Sequence, residues 1–251
     1  MPADGVYISP EGTKTVIPLE NNPEVFTSLI HDLGISPSLG FFDVYSLDEP
    51  ALLDLVPRPA LALIFISPSP MFYQVRAADG TKSAKEDGVT YDGAGPDEPV
   101  VWFRQTIGNA CGLYALIHAV GNGEARDFVA EGSLMDRLLK EAEPLKWRER
   151  ADVLYKSEEL EEAHMKAARK GDTAPPPAEE HPGYHFLAFV KGKDGHLWEL
   201  EGESDGPVDR GLLGEGDDVL SEEALERGVK RFLSYADGNL EFSIVALAKR
   251  E

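Results

Sequence analysis

A mixed α/β fold in a single domain is predicted by three features of the 251-residue sequence. Strand-like and helix-like segments alternate along the first two thirds of the chain. Residues 60–66 are continuously apolar and bounded by prolines, which is typical of a central strand buried on both faces. The last third is rich in strand-like segments. A chain of this length can bury a large core, and we see no domain boundary in residues 1–251.

The first hundred residues contain one helix with clear signals at both ends. Asn22 is its expected N-cap, Pro23 its first residue, and Gly34 follows its last residue, Leu33. Residues 78–99 are rich in Gly, Asp and Lys and predict a flexible surface loop. The other predicted elements are a strand at 15–19, a strand at 41–45, a short helix at 49–55, the strand at 60–66 and an extended segment at 100–103.

The rest of the chain continues the alternation and then turns to strands. A helix at 109–120 is apolar nearly all round, so it should lie centrally. Residues 172–182 include three consecutive prolines and should be irregular. The other predicted elements are a helix after Ser133, a charged helix at 146–171 broken near Ser157, strands at 184–190, 196–201, 206–210 and 242–248, and a helix at 221–236.

Charge and composition exclude several classes of protein. The chain carries 45 acidic and 24 basic residues, a net charge of −21 at pH 7, which argues against binding nucleic acid. No apolar run approaches the roughly 18 residues of a membrane span. The N-terminus lacks the pattern of a signal peptide, and a single cysteine gives no sign of an oxidising compartment. We therefore expect a monomeric cytoplasmic or nuclear protein that contacts neither nucleic acid nor membrane.

Cys111 is the only cysteine, and its surroundings are those of a nucleophile. If Asn109 caps the following helix, Cys111 lies in the first turn, where free N–H groups and the helix dipole favour the thiolate. Gln105 could direct its side-chain amide at an oxyanion, with the main-chain N–H of Cys111 as a second donor. The alternative is a buried cysteine that only packs. We expect no metal and no cofactor.

A thiol nucleophile needs a base, and the chain offers six histidines. His31 and His164 lie on polar helical segments and should be solvated, and His181 lies in the Pro-rich segment. His118 is two turns along the helix of Cys111, too far to take its proton. The two remaining histidines, His185 and His196, belong to the predicted hairpin.

Strand pairing separates these two histidines. If residues 191–195 form a five-residue turn, Val190 opposes His196, and counting outward places Glu201 opposite His185. A carboxylate there would fix the imidazole tautomer and support its charged form. His196 shares its face with apolar residues and is better explained as structural. The alternative for His185 and Glu201 is an ordinary polar pair on a sheet.

Several segments of the chain resemble segments of one known protein family and occur in the same order. The run Gln105-Thr-Ile-Gly-Asn-Ala-Cys111-Gly, followed by Leu116-Ile-His-Ala-Val120, resembles the active-site signature of the ubiquitin C-terminal hydrolases. The resemblance extends over essentially the whole chain. The other similar segments are residues 19–26, 42–45, 56–59, 185–189, 194–202 and 242–247.

The resemblance implies four site residues. Cys111 matches the nucleophile, His185 the general base and Gln105 the oxyanion glutamine. Glu201 stands where the family usually has aspartate, and we expect it to orient His185. Glu199 and Asp205 are the alternatives for that role.

The resemblance also implies a fold and an activity. The expected fold is that of papain-like cysteine peptidases, with a central antiparallel sheet between helical layers and a knotted chain path. A loop at about 168–183 should cross the active site, and the chain should be a short, single-domain member. The implied reaction is cleavage of small adducts or peptides from the C-terminal glycine of ubiquitin through a thioester. The implied partner is ubiquitin, through its basic face and its tail. A ubiquitin-binding pseudoenzyme and a hydrolase for a ubiquitin-like modifier remain alternatives.

Overall fold

The computed structural model describes residues 5–10, 12–81 and 88–250. Its main sheet has six antiparallel strands in the order β3-β8-β4-β5-β6-β7, and β1 pairs with β2 apart from it. The strands are β1 (Val6–Ile8), β2 (Lys14–Val16), β3 (Leu39–Asp43), β4 (Ala60–Pro68), β5 (Tyr184–Lys191), β6 (His196–Leu200), β7 (Val208–Leu212) and β8 (Ser243–Lys249).

Helices cover both faces of this sheet, and each layer has its own apolar core. Residues of α1 and α4 to α7 pack on one face, and residues of α3, α8 and α9 pack on the other. The helices are α1 (Pro23–Leu33), α2 (Pro50–Leu53), α3 (Ser69–Asp79), α4 (Cys111–Val120), α5 (Leu134–Ala142), α6 (Trp147–Lys156), α7 (Glu158–Ala168), α8 (Glu222–Arg227) and α9 (Val229–Leu233). The predicted antiparallel sheet between helical layers is thereby confirmed, whereas the knot stays a prediction.

The central position of β4 follows from its sequence. It pairs with β5 on one side and β8 on the other, and its side chains from Ala60 to Phe65 are buried. Because both faces carry helices, every side chain of this stretch must be apolar. The prediction of a doubly buried strand is confirmed.

Helix α1 begins and ends where the sequence indicates. The side chain of Asn22 accepts hydrogen bonds from the N–H groups of Glu24 (2.9 Å) and Val25 (3.3 Å). Gly34 ends the helix in the left-handed region, with φ of 96°, a conformation that glycine adopts without steric cost. The predicted break between α6 and α7 is also confirmed, because Ser157 caps α7.

Two predictions about secondary structure need correction. Helix α3 is absent from the predicted elements, although it follows the apolar strand directly and has Pro68 and Pro70 at its start. The single helix expected at 221–236 is two short helices, which Gly228 separates. Residues 100–103, predicted as an extended segment, belong to no helix or strand, and all four are buried.

The loop predicted at 78–99 starts later and is anchored. Helix α3 continues to Asp79, and residues 82–87 lie outside the described residues. From Gly88 onward the segment is tied to the body of the protein. The hydroxyl of Tyr91 donates to Glu98 (2.5 Å), and Glu98 pairs with the fully buried Arg150 of α6 (2.5 Å). This anchoring fixes the chain a few residues before Gln105.

No helix within residues 5–10, 12–81 and 88–250 is both long and apolar enough to cross a membrane.

Candidate active site

Cys111 is the first residue of α4, but Asn109 does not cap this helix. The N-cap position is Ala110, which offers no side-chain hydrogen bond. Asn109 is left-handed, with φ of 58°, a conformation that asparagine tolerates better than most residues. The predicted cap is therefore wrong. The placement of Cys111 in the first helical turn is confirmed.

The side chain of Asn109 instead binds the irregular segment between α7 and β5, residues 169–183. Its Nδ2 donates to the carbonyl oxygens of Ala178 (3.0 Å) and Glu180 (2.8 Å), and its Oδ1 lies 3.1 Å from Nδ1 of His181. At the other end of the segment, Glu20 accepts hydrogen bonds from the N–H and hydroxyl groups of Thr173. The segment is thus fixed at both ends beside Cys111.

Cys111 lies in a cleft of about 280 Å³ between this segment and the body of the protein. The wall residues include Leu19, Thr173, Pro175, Pro176, Tyr184 and Phe186. The thiol is 8% exposed, so only a narrow group can reach it. A narrow apolar cleft with a nucleophile on its wall suits an extended chain of small residues.

Burial determines the protonation state of the Cys111 thiol. Burial raises its pKa to about 11, and the negative charge of Glu203 adds to the rise. Hydrogen bonds from the main chain of Phe186 and Gly112 offset this only in part. The expectation that the helix start would favour the thiolate is wrong for this arrangement, because desolvation outweighs the helix dipole.

His185 and Glu201 meet as predicted, but through a different register. Nε2 of His185 lies 3.1 Å from Oε2 of Glu201, and both side chains are almost completely buried. In the predicted pairing they would be directly opposite. In the observed pairing Ala188 faces Leu200 and Val190 faces Trp198, which is a shift of two residues. Because side chains alternate with a period of two, this shift keeps both residues on one face.

The shift comes from a tighter turn. The N–H of Gly192 donates to the carbonyl of His196 (2.8 Å), so only residues 193–195 turn the chain. Gly195 adopts φ of 80°, as the last residue of a three-residue hairpin loop often does. His185 and Glu201 are then diagonal neighbours, roughly 7–8 Å apart at Cα, a distance that long side chains can bridge. The extra methylene of glutamate suits this diagonal.

The Glu201 carboxylate is held in its ionised form. Burial alone would raise its pKa, but the hydrogen bond and charge of His185 and the charge of Arg76 lower it to about 2. The N–H of Glu203 also donates to Oε2 of Glu201 (2.6 Å). The two alternatives are engaged elsewhere: Glu199 pairs with Arg210 (2.6 Å), and Asp205 accepts hydrogen bonds from Thr90 and Tyr91.

Gln105 lies beside the end of this hairpin. The main-chain N–H of Gln105 donates to the carbonyl of Gly202 (3.0 Å). A Cβ added to Gly202 would lie only 2.3 Å from the Cβ of Gln105. The side-chain Nε2 donates to the carbonyl of Ile107 (3.0 Å). An amide nitrogen carries two hydrogens, so one remains for another acceptor.

The thiol of Cys111 contacts the residue after His185 but forms no hydrogen bond with His185 itself. Within the described ranges no hydrogen bond joins the thiol to the imidazole, and the thiol interacts with the main chain of Phe186 instead. The His185 ring stacks on Phe72 of α3, with centroids 4.1 Å apart. Since Glu201 occupies Nε2, Nδ1 is the ring nitrogen left to accept a proton from the thiol.

The other histidines have structural contacts, and one expectation about them is wrong. His164 is 1% exposed and bonds the carbonyl of Ile17 (2.8 Å), so it is not solvated. Nε2 of His31 lies 2.9 Å from the carbonyl of Leu39. Buried His118 accepts from the N–H of Phe103 (3.0 Å). His196 pairs with Asp209 (2.9 Å), which agrees with a structural role.

Two residues of the site, Phe72 and Arg76, were missed because α3 was missed. They are four positions apart and therefore share a helix face. Met71, Phe72 and Val75 are buried in the core. This spacing of apolar residues, directly after two prolines, was the available signal for an amphipathic helix.

The reactivity of Cys111 should follow its raised pKa. Only the thiolate is alkylated, so in the free protein the rate of labelling by iodoacetamide should rise about tenfold for each pH unit between pH 7 and 9.5. Intact mass spectrometry would follow the reaction, and Cys111→Ser should take up no label because no other cysteine exists. A rate that is already constant above pH 6 would contradict the raised pKa.

Comparison with known proteins places this geometry in a family. The sequence model described as ubiquitin carboxyl-terminal hydrolase, family 1 matches residues 16–234. Ubiquitin carboxyl-terminal hydrolase 3 of Arabidopsis thaliana is 33% identical over 239 residues, 95% of this chain and 96% of the relative. A ubiquitin carboxyl-terminal hydrolase of Aplysia californica is 36% identical over 218 residues, 87% of this chain and 94% of the relative.

A solved structure agrees in fold. The UCH37 catalytic domain of Trichinella spiralis, crystallised with ubiquitin vinyl methyl ester, matches with a TM-score of 0.69 at 22% identity, over 94% of this chain and 95% of that chain. The family match spans most of the sequence, and the relatives align with it almost from end to end. The chain therefore belongs to family 1 of the ubiquitin carboxyl-terminal hydrolases.

Proposed function

We propose that this protein is a deubiquitinating thiol hydrolase that removes small adducts or peptides from the C-terminal glycine of ubiquitin. Family membership supports the activity. The observation that carries it is the arrangement around the start of β5. The thiol of Cys111 contacts the main chain of Phe186, and the adjacent His185 is held by Glu201 through Nε2. Nucleophile, base and orienting carboxylate thus meet at one end of the sheet.

Each residue then has a defined step. Nδ1 of His185 takes the proton of Cys111, and the sulfur attacks the carbonyl carbon of the terminal glycine. The side-chain amide of Gln105 and the main-chain N–H of Cys111 stabilise the oxyanion. His185 gives its proton to the leaving amine, which departs as the thioester forms. His185 next takes a proton from water, and the oxygen of that water attacks the thioester carbonyl. The C–S bond then breaks, which frees the Cys111 sulfur and releases ubiquitin with a free carboxylate.

The resting geometry requires one adjustment before this chemistry. The Cys111 thiol is protonated at neutral pH, because its pKa is about 11, and His185 stacks on Phe72. We propose that ubiquitin binding moves the imidazole toward the thiol. A proton transfer between the two then gives a thiolate paired with an imidazolium, which stabilises both charges.

We further propose that residues 169–183 limit the size of the leaving group. The segment forms one wall of the cleft at Cys111, and Glu20 and Asn109 hold its two ends. A leaving group must pass beneath this loop or displace it. Narrow adducts and unfolded peptides meet that requirement, whereas a folded protein does not.

The expected partner is ubiquitin, bound through its basic face and its tail. A net charge of −21 suits a basic partner and accelerates association at low salt. Added salt should weaken this attraction. We place the protein in the cytoplasm, with access to the nucleus, as a monomer that acts in ubiquitin-dependent protein catabolism.

Turnover of ubiquitin carrying a C-terminal fluorogenic amide tests the function. The wild-type protein should release the fluorophore, and Cys111→Ala should not, because no other thiol is available. Binding of ubiquitin by Cys111→Ala, measured by calorimetry, controls for folding. Binding without turnover by the wild type would identify a pseudoenzyme. Turnover only of a ubiquitin-like modifier's amide would identify a different substrate.

Substitutions at Glu201 test its orienting role. Glu201→Gln removes the charge opposite His185 and should lower kcat by at least about tenfold, as expected for an outer partner of a functional histidine. Glu201→Asp keeps the charge and should largely preserve kcat. Steady-state kinetics on the fluorogenic amide measures both. Equal rates for all three proteins would remove Glu201 from the mechanism.

Release of the Asn109 contacts should relax the size limit. Asn109→Gly keeps the left-handed backbone accessible but removes three hydrogen bonds to the loop, each worth about 1 kcal/mol. Turnover of ubiquitin fused to a folded domain, divided by turnover of the fluorogenic amide, should therefore rise at least about tenfold. Asn239→Gly, in a distant exposed turn, is the control. An equal change for both substrates would contradict the role of the loop.

A further inference from the structure

Five charged side chains form a largely buried network behind α3. Arg76 and Arg210 both pair with Glu199, and Arg210 and Arg231 both pair with Asp79. The two carboxylates are at most 6% exposed. Three cations meet two anions in this network, and the third cation, Arg231, is 39% exposed to solvent. Buried charge of this kind is stable only if a counter-charge lies nearby.

The guanidinium of Arg76 lies close to the Phe72–His185 pair. It lies 4.9 Å from the ring centroid of Phe72, and Phe72 in turn stacks on His185. Arg76 and Glu201 line the same small cavity, of about 40 Å³, together with Ser204. The charges of Arg76 and Glu201 act on each other. Glu201 therefore supplies a second negative charge near Arg76, in addition to that of Glu199.

Several buried polar atoms belong to the residues that line this cavity. Within the described residues, Nε and Nη1 of Arg76 are buried and have no protein hydrogen-bond partner, and Oε1 of Glu201 is buried with the hydroxyl of Ser204, which lowers the pKa of the Glu201 carboxyl. Such atoms are costly unless something binds them. A cavity of this volume can hold a water molecule, which needs two to four polar partners. Two donors and one carboxylate oxygen meet that need.

We propose that a water molecule bound in this cavity joins the guanidinium of Arg76 to Oε1 of Glu201, and that Arg76 is thereby a positioning residue for the Glu201–His185 pair. The inference rests on the proposed function and extends it beyond the residues that touch the reacting atoms. His185 and the N–H of Glu203 hold Oε2 of Glu201. The bridge holds the other oxygen, so the carboxylate cannot rotate.

The positive charge of Arg76 also balances the acidic groups around the pair. Glu203 accepts a hydrogen bond from the Tyr73 hydroxyl (3.3 Å) and lies close enough to act on the thiol of Cys111. Glu201 itself influences Tyr73 and the buried His118. Without Arg76, the carboxylates of Glu201 and Glu203 would face each other with no fixed cation beside them.

A double-mutant cycle tests whether Arg76 acts through Glu201. Arg76→Met keeps the length of the side chain and removes its charge. It should lower kcat for the fluorogenic ubiquitin amide about tenfold in the wild-type background. In the Glu201→Gln background it should change kcat by less than about twofold, because the charge that Arg76 serves is gone. KM should stay constant, since Arg76 is buried. An equal loss of kcat in both backgrounds would overturn the proposal.

Two variants separate positioning from folding. Arg76→Lys keeps the charge and should recover most of the lost kcat. Glu199→Gln removes the other partner of Arg76 but leaves the charge that faces Glu201, so its kcat should stay within about twofold of the wild type. Arg76→Met should still fold, because Glu199 keeps Arg210 as a partner. If it does not, the Arg76→Met/Glu199→Gln double variant leaves no unpaired carboxylate and takes its place in the cycle.

A crystal structure tests the bridge without reference to activity. The wild-type protein should show a water molecule within hydrogen-bond distance of both Arg76 and Oε1 of Glu201, and the Arg76→Met protein should lose it. A cavity filled by a side chain in the wild type would overturn the proposal. A wild-type protein that hydrolyses no ubiquitin amide would instead refute the proposed function. The crystal structure would still show whether the water molecule is present, so the two outcomes can be told apart.

Discussion

The antiparallel pairing of β5 with β4 and β6 is the constraint on which the site depends. It fixes Ser67 opposite His185 and Ala188 opposite Leu200. These two pairings bring the beginning of β5 and the end of β6 to the same end of the sheet. The main chain of Phe186 contacts Cys111 there, so the helix that carries the thiol is placed by the same strand. The core on both faces of the sheet prevents any one-residue slip, because a slip would turn every apolar side chain outward.

Burial by itself raises the pKa of both Cys111 and Glu201, but the net shifts of the two groups are opposite. Both are almost completely buried, yet the pKa of Cys111 is raised to about 11 and the pKa of Glu201 is lowered to about 2. The difference lies in their partners. Glu201 has an imidazole and a guanidinium beside it, which outweigh desolvation. The thiol has main-chain N–H groups and an acidic neighbour, which do not. In the free protein the Glu201 carboxyl is therefore charged and the Cys111 thiol uncharged.

Sequence patterns predicted what depends on neighbouring residues and failed where distant contacts decide. The cap of α1 and the apolar strand β4 follow from local residue types, and both were predicted. Asparagine favours caps, which predicts a cap at Asn109, but the contacts of its side chain come from a loop about seventy residues away. The hairpin register was wrong by two residues, because the turn tightens at Gly195. The resemblance predicts site roles for Cys111, His185, Glu201 and Gln105, whereas α3 and Arg76 lie outside every motif.

Gly202 couples the two halves of the candidate site. Its carbonyl receives the N–H of Gln105, and its lack of a side chain lets the two backbones touch. The residue before it is Glu201. A movement of the segment that contains Gln105 is therefore transmitted to the carboxylate that holds His185, and the reverse is equally true. Gln105 and Glu201 are thus held through one backbone contact rather than independently. A substitution at position 201 must therefore preserve the close approach of Gly202 to Gln105.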